Sequence, residues 1–399
     1  MLKYEEQGAW VRNSNPLRDL NDKNIASGIV AALLVLTGPP AIILEAAAKG
    51  NFTVEQTIYW MFAVYVFGGI LSILLPLYYR MPITAGHSIT GVAFLATVTS
   101  QFGYHELIGS YMFAALLIFL TGYFGIFSKL LQYVPKQIIA AMLAGMITQY
   151  MVNFVVSISQ IPIIGGLALV AYLVFNKWDR RVPPMVAAIA VAFVLLFLTQ
   201  PLKVNSLETS FILPTIQLPE FNMLSFLTVS IPLALLILSN DAAVGLGALE
   251  QNDFKPPINR VVTYSGIFSL LANFFGGQSA NIAGMMSAIC SDEAAGPREK
   301  RYMGSVVAGI ISVFFGLFSW YLVPVIQSLP KVFDSILVGF ALLGVFGNSL
   351  YTGFSKPTMK ISAGFAFVIS ASNISLFHIS APAWALFIGT ILARYAENN

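Results

Sequence analysis

Three short stretches carry polar and titratable side chains inside a very apolar chain. "MPITAGHSITGVAFL" (Met81–Leu95) holds His87 and Ser88. "GQSANIAG", beginning at Gly277, holds Gln278, Ser279 and Asn281, and "LSNDAAVG" holds Asn240 and Asp241. Histidine and aspartate can exchange protons near neutrality once their surroundings shift them. Serine, glutamine and asparagine offer donors and acceptors that could hold a polar solute. An ionised carboxylate at bilayer depth costs at least ~2.5–3.5 kcal/mol on insertion scales, and intramembrane acids usually mark ion or proton pathways. Metal-ligand spacing, a P-loop and a dinucleotide fingerprint are all absent from the sequence. His87 and Ser88 are adjacent in sequence, which is poor geometry for a catalytic triad. The expected chemistry is therefore solute binding and proton exchange, not catalysis. The proton is the one coupling species, and no cofactor or metal is expected.

These residues must be positioned within a membrane. The chain is 57% hydrophobic and 10% charged over 399 residues, against roughly 25% charged in soluble domains. Apolar runs recur near the ~20 residues that span a bilayer as a helix. This predicts an all-α polytopic membrane protein with segments at about 25–48, 55–79, 82–100, 105–126, 135–157, 161–177, 182–201, 222–248, 258–275, 278–290, 301–327, 332–350, 356–373 and 380–396. The polar N-terminal stretch 1–24 lacks signal-peptide features. Cys290, the only cysteine, is read as a packing residue.

With a cytoplasmic N-terminus and fourteen crossings, only Lys49, Lys203 and Lys331 of the 21 Lys and Arg fall outside. That is the positive-inside bias, and omitting either short segment, the third or the tenth, would spoil it. Two internal matches support the count. "GHSITG" at Gly86 pairs with "GQSANIAG" at Gly277, 191 residues on. "VPKQIIAAMLAG" at Val134 pairs with "LPKVFDSILVG" at Leu329, 195 residues on. Seven segments per half make an inverted repeat, which places a solute site at the midplane between discontinuous helices.

Met81-Pro82 and Gly276-Gly277 disfavour helix. The expectation is a few extended residues, then half-helices starting near His87 and Gln278, with Asn281 one turn into the second. Their N-termini would favour an anion or an electron-rich ring edge. His87, Ser88, Asn240, Asp241, Gln278, Ser279 and Asn281 form the expected substrate site, with His87 and Asp241 as proton-coupling residues. Ser88 and Ser279 serve equally well as helix caps. Gly38-Pro39-Pro40 should break the first segment, placing Pro39 at the cavity.

Several stretches extend the reading: "YYRMPITAGHSITGVAFL", "VPKQIIAAMLAGM", "NRVVTYSGIFSLLANFFGG" followed by "NIAGMMSAIC", and "REKRYMGSVVAGIISVFFGLFS". Together they resemble the benzoate/proton symporter (BenE) family, itself similar to the uracil and xanthine permeases. The resemblance runs in order over most of the chain. It implies a core domain from segments 1–4 and 8–11 (25–126 and 206–327). It also implies a gate domain from segments 5–7 and 12–14 (127–205 and 328–399). Segments three and ten would each hold a short strand and a half-helix. Benzoate-type members carry Trp-Ser-Thr-Pro-Gly where this chain has His87 to Gly91, and Gln-Asn where it has Asn240-Asp241. In the nucleobase permeases an acid in segment eight contacts the base, about where Asp241 falls.

The expected function is proton-coupled import of a small planar aromatic solute, a benzoate-like carboxylate or a nucleobase, by alternating access. The alternatives are a uracil or purine permease proper, or an anion transporter or channel on the same fold. The expected setting is a prokaryotic cytoplasmic (inner) membrane with both termini cytoplasmic. The solute and the lipid bilayer are the expected partners, nucleic acid is not, and a homodimer is kept in view.

Overall fold

The computed structural model describes residues 15–397 apart from 128, 130–133, 179–181, 200–210, 375 and 378. The expected N-terminal segment is thus described from residue 15 only. The expected joint between two halves, near 203–220, is described from 211 only. Lys3, Arg12, Arg180, Arg181 and Lys203 lie outside the described residues.

Helix α1 (Asp22–Thr37) begins at a capping box between Asn21 and Asn24. It stops at Gly38, and α2 (Pro39–Lys49) starts on the proline pair. A proline has no N–H to lose at a helix's first position, so the break falls where the sequence placed it. Helix α3 (Val54–Tyr79) opens on a second capping box, Thr53 with Gln56, and ends at left-handed Arg80 (φ 52°). An extended stretch with strand β1 (Ala85–Gly86) leads into the short helix α4 (Ile89–Val98), followed by α5 (Tyr104–Tyr123). Helices α6 (Lys136–Gln160), α7 (Pro162–Trp178) and α8 (Pro184–Thr199) follow.

Helix α9 (Met223–Gln251) contains two π-helical stretches, Phe226–Ser230 and Ile237–Ala242. Helix α10 (Ile258–Asn273), strand β2 (Asn281–Ile282) and the eight-residue α11 (Gly284–Ser291) follow. The expected eleventh segment is two helices, α12 (Tyr302–Leu317) and α13 (Ser319–Gln327), parted at Phe318. Helices α14 (Lys331–Gly353), α15 (Lys360–Ala371) and α16 (Ala381–Tyr395) end the chain.

Among the described residues, seven helical stretches are long and apolar enough to cross a bilayer: α1 with α2, α3, α5, α6, α9, Arg298–Leu317 and α14. Helix α4, at ten residues, covers only ~15 Å, about half a bilayer.

Helix α3 packs along α12, and α5 along α10. Lipid supplies no hydrophobic drive between helices, so close contact rests on small residues. A Cβ on Gly309 of α12 would lie 2.7 Å from the Gly69 carbonyl of α3. In a second group, α6 packs along α14 and α15, α7 against α8, and α15 against α16. Exposed apolar side chains such as Val155, Phe197 and Val368 suit contact with lipid tails.

Candidate functional site

The two short strands pair antiparallel, Ala85 with Ile282 and Gly86 with Asn281. One more bond, from the Ala283 N–H to the Thr84 carbonyl at 2.9 Å, continues the ladder. Extended backbone at this depth must find partners within the protein. Helix α10 supplies them to the second break. The Ser269 hydroxyl oxygen accepts the Ala280 N–H at 3.0 Å, and Ser265 accepts the Ile282 N–H at 3.3 Å. The Asn273 amide donates to the Gly277 carbonyl at 2.7 Å. Positions 265, 269 and 273 share one helical face.

The first half-helix resumes at Ile89, near His87 as expected. The second break is longer than expected: helix resumes at Gly284 rather than near Gln278, and Asn281 lies in β2 rather than inside a half-helix. Strand pairing and the α10 serines hold residues 280–283 extended, which delays the helix. Ile89 and Gly284 are 195 residues apart, the offset of the "VPK" and "LPK" match. At that offset His87 corresponds to Ile282, and Gln278 and Ser279 to Ile83 and Thr84.

Gln278 and Ser279 brace the break. The Trp60 indole N–H donates to Gln278 Oε1 at 2.5 Å, and Gln278 Nε2 donates to the Ser88 carbonyl at 3.4 Å. Ser279 Oγ accepts the Ser88 N–H at 3.1 Å. Ser88 caps α4, its Oγ accepting from the Gly91 N–H at 2.9 Å. Ala283 occupies the same position before α11 and has no side-chain acceptor to offer. The first N–H groups of α11 therefore go without a side-chain cap.

Those N–H groups adjoin a cavity of about 380 Å³. The first turns of α4 and α11, His87, and the π stretch with Ser239, Asn240 and Asp241 line one wall. π-Helical bulges occur often at functional sites, and this one turns three consecutive polar residues to the cavity. Lys136 and Ala140 of α6, and Asn348, Ser349 and Thr352 of α14, line the other. Four buried polar atoms around the break lack a hydrogen-bond partner among the described residues: His87 Nε2 and Asp241 Oδ2 at the cavity, and Asn273 Oδ1 and Asn281 Oδ1 behind it. Leaving such a group unsatisfied costs about 1–3 kcal/mol, so the two at the cavity call for a solute or water. The Ser88 and Asn281 side chains face the Asp241 carboxyl. The His87 ring meets Tyr65 edge-on at 4.9 Å between centroids, and the Tyr65 hydroxyl donates to the Val35 carbonyl at 2.7 Å.

Of the expected site, His87, Asn240 and Asp241 line this cavity, while Ser88 and Asn281 stand behind them. Gln278, Ser279 and Pro39 do not line it. Gln278 and Ser279 are engaged by the Ser88 backbone, and Pro39 is buried in the first-segment break. Its neighbour Pro40 reaches a second, largely apolar cavity of about 350 Å³. Sequence reasoning missed the α14 trio, although Asn348, Ser349 and Thr352 recur at helical spacing at the end of an apolar run. It also counted Lys136 only as a topology charge.

The sequence profile described as "Benzoate membrane transport protein" (BenE) matches residues 18–395. The chain belongs to the BenE family. Two relatives agree in extent. "Inner membrane protein YdcO" of Escherichia coli is 28% identical over 380 residues, covering 94% of this chain and 97% of its own. The "Benzoate membrane transport protein" of Acinetobacter baylyi is 27% identical over 371 residues, covering 92% and 93%. Among solved structures, the fold is similar to the transmembrane domain of a cyanobacterium bicarbonate transporter, BicA (TM-score 0.58, 14% identity, 92% of this chain and 96% of that one). It is also similar to SLC26A9 (TM-score 0.62, 12% identity, 99% of this chain and 69% of that one). This BenE-family chain is an integral membrane transporter for a small solute, and not an enzyme.

Proposed function

We propose that this BenE-family chain imports a benzoate-like aromatic carboxylate together with a proton, by alternating access. One observation carries the reading: Asp241 and His87 present unpartnered polar atoms at the same cavity as the uncapped N-terminus of α11. A solute carboxylate suits free helix N–H groups but would be repelled by an ionised Asp241. A proton on Asp241 or His87 removes that repulsion, so anion and proton bind together. The cavity lies at the low end of the ~300–1,000 Å³ usual for ligand pockets, which suits a small solute. The name of the Acinetobacter baylyi relative supports benzoate itself.

Packing supports the fourteen-crossing inverted repeat. Helix α3 lies on α12 as α10 lies on α5, and α2 meets α4 as the C-terminal part of α9 meets α11. The antiparallel β1–β2 pair would sit on the pseudo-axis. Core residues 25–126 and 206–327 then carry His87 and Asp241, and gate residues 127–205 and 328–399 carry the facing wall. The positive-inside bias supports cytoplasmic termini, and the Escherichia coli relative's name supports an inner membrane. The free Asp241 Oδ2 acceptor favours a second reading, a nucleobase donating its ring N–H.

The test is uptake into proteoliposomes of benzoate, uracil, xanthine and adenine, with and without an inward proton gradient. Benzoate should accumulate only with the gradient. Gradient-independent flux of many anions would overturn symport, and accumulation of a base alone would select the second reading.

A further inference from the structure

We infer that Lys136 is the counter-ion that the gate-side wall of the cavity offers to the solute carboxylate. The inference deepens the reading above and rests on it: the solute must be an anion that enters the His87–Asp241 cavity.

Lys136 is the first residue of α6, exposed, and part of the cavity wall. It is the single Lys or Arg among the lining residues, and Asp241 is the single acid. The ion pairs seen among the described residues join Lys49 to Glu45 and Arg80 and Lys300 to Asp19, so none engages Lys136. A cation at a helix N-terminus stands at the unfavourable end of the helix dipole. Pro135 before it gives no side-chain cap. Ammonium, uncapped N–H groups and dipole therefore add to one positive potential at the cavity. On the other side of that cavity His87, 4% exposed, leaves Nε2 without a partner, so the same space already calls for a polar ligand. Asn348, Ser349 and Thr352 of α14 line the same cavity as Lys136 and can share a carboxylate's remaining lone pairs. The acid stands on the core wall and the cation on the gate wall. An aromatic carboxylate between them would meet a charge partner that moves relative to Asp241 as the two domains rock. The matching lysine of the repeat, Lys331, also opens its helix after a proline but does not line this cavity.

The experiment is calorimetric titration of benzoate into the purified full-length protein in nanodiscs, at low and high salt, for wild type, Lys136→Gln, Lys136→Arg and Lys331→Gln. Wild type should bind, and more weakly in high salt. Lys136→Gln should lose roughly five- to tenfold in affinity at low salt, the order expected of one partly screened charge pair, and should lose the salt dependence. Lys136→Arg should stay within about threefold, since it keeps the charge, and Lys331→Gln should match wild type. Unchanged affinity and salt dependence in Lys136→Gln, at an unchanged melting temperature, would overturn the inference while leaving the transport reading intact. So would a loss equal at both salts and accompanied by a lower melting temperature, which marks a structural lysine. If wild type binds no aromatic carboxylate at either salt, the transport reading itself fails and this inference with it.

Discussion

The backbone N–H of Ser88 donates to Oγ of Ser279 at 3.1 Å, tying together two helix breaks 191 residues apart in the chain. The bond fixes where α4 begins, because Ser88 is also its cap. It thereby sets the position of His87, one residue earlier, against the cavity.

Ser279→Ala should leave the Ser88 N–H buried without an acceptor, costing about 1–3 kcal/mol. Thermal unfolding in detergent should show a lower melting temperature, with Ser279→Thr close to wild type. Equal melting of alanine variant and wild type would mean that water replaces the hydroxyl.

Asp241→Asn keeps the shape of the side chain and removes its titration. Accumulation driven by a proton gradient should fall to background, while exchange of internal for external solute persists, as neither direction then needs net proton movement. Undiminished gradient-driven uptake would remove Asp241 from the coupling mechanism.

His87→Phe retains the edge-on ring contact with Tyr65 and deletes the unpartnered nitrogen. Loss of one solute hydrogen bond, about 0.5–1.5 kcal/mol, should weaken binding up to about tenfold with folding unaffected. An unchanged affinity would make His87 a packing residue.

Glu397 offers a pH test at the chain's end, beyond α16. Its carboxylate accepts from the Ile361 and Ser362 N–H groups at 2.8 and 3.0 Å, capping α15. Burial opposes its charge, but the Ser362 and Ile361 hydrogen bonds outweigh that and hold the carboxyl below its usual 4.5. A group depressed in the folded state stabilises above its unfolded pKa and loses that contribution as pH falls through the folded one. Glu397→Gln should therefore melt below wild type at neutral pH, and the gap should close in acid. A gap independent of pH would assign the effect to packing.

Much of this protein was legible from local sequence. Hydropathy placed the helices, because burying a backbone in lipid forces long apolar runs. Gly38-Pro39-Pro40, Met81-Pro82 and Gly276-Gly277 marked the breaks, because backbone freedom and a missing N–H act within a few residues. Asp241 and His87 declared themselves by their cost at that depth. Where the second half-helix resumes was not legible. The extension of residues 280–283 depends on β1, some 195 residues away, and on Ser265, Ser269 and Asn273, which read in sequence as ordinary polar residues of an apolar helix. The same holds for the division of labour within the site. Gln278 and Ser279 look as available for a solute as His87 does, and only the fold brings Trp60 and Ser88 onto them. Lys136 and the Asn348–Thr352 face became cavity residues for the same reason. Local sequence decides which groups are expensive to bury, and the tertiary packing decides which of them are satisfied from within and which are left facing a cavity.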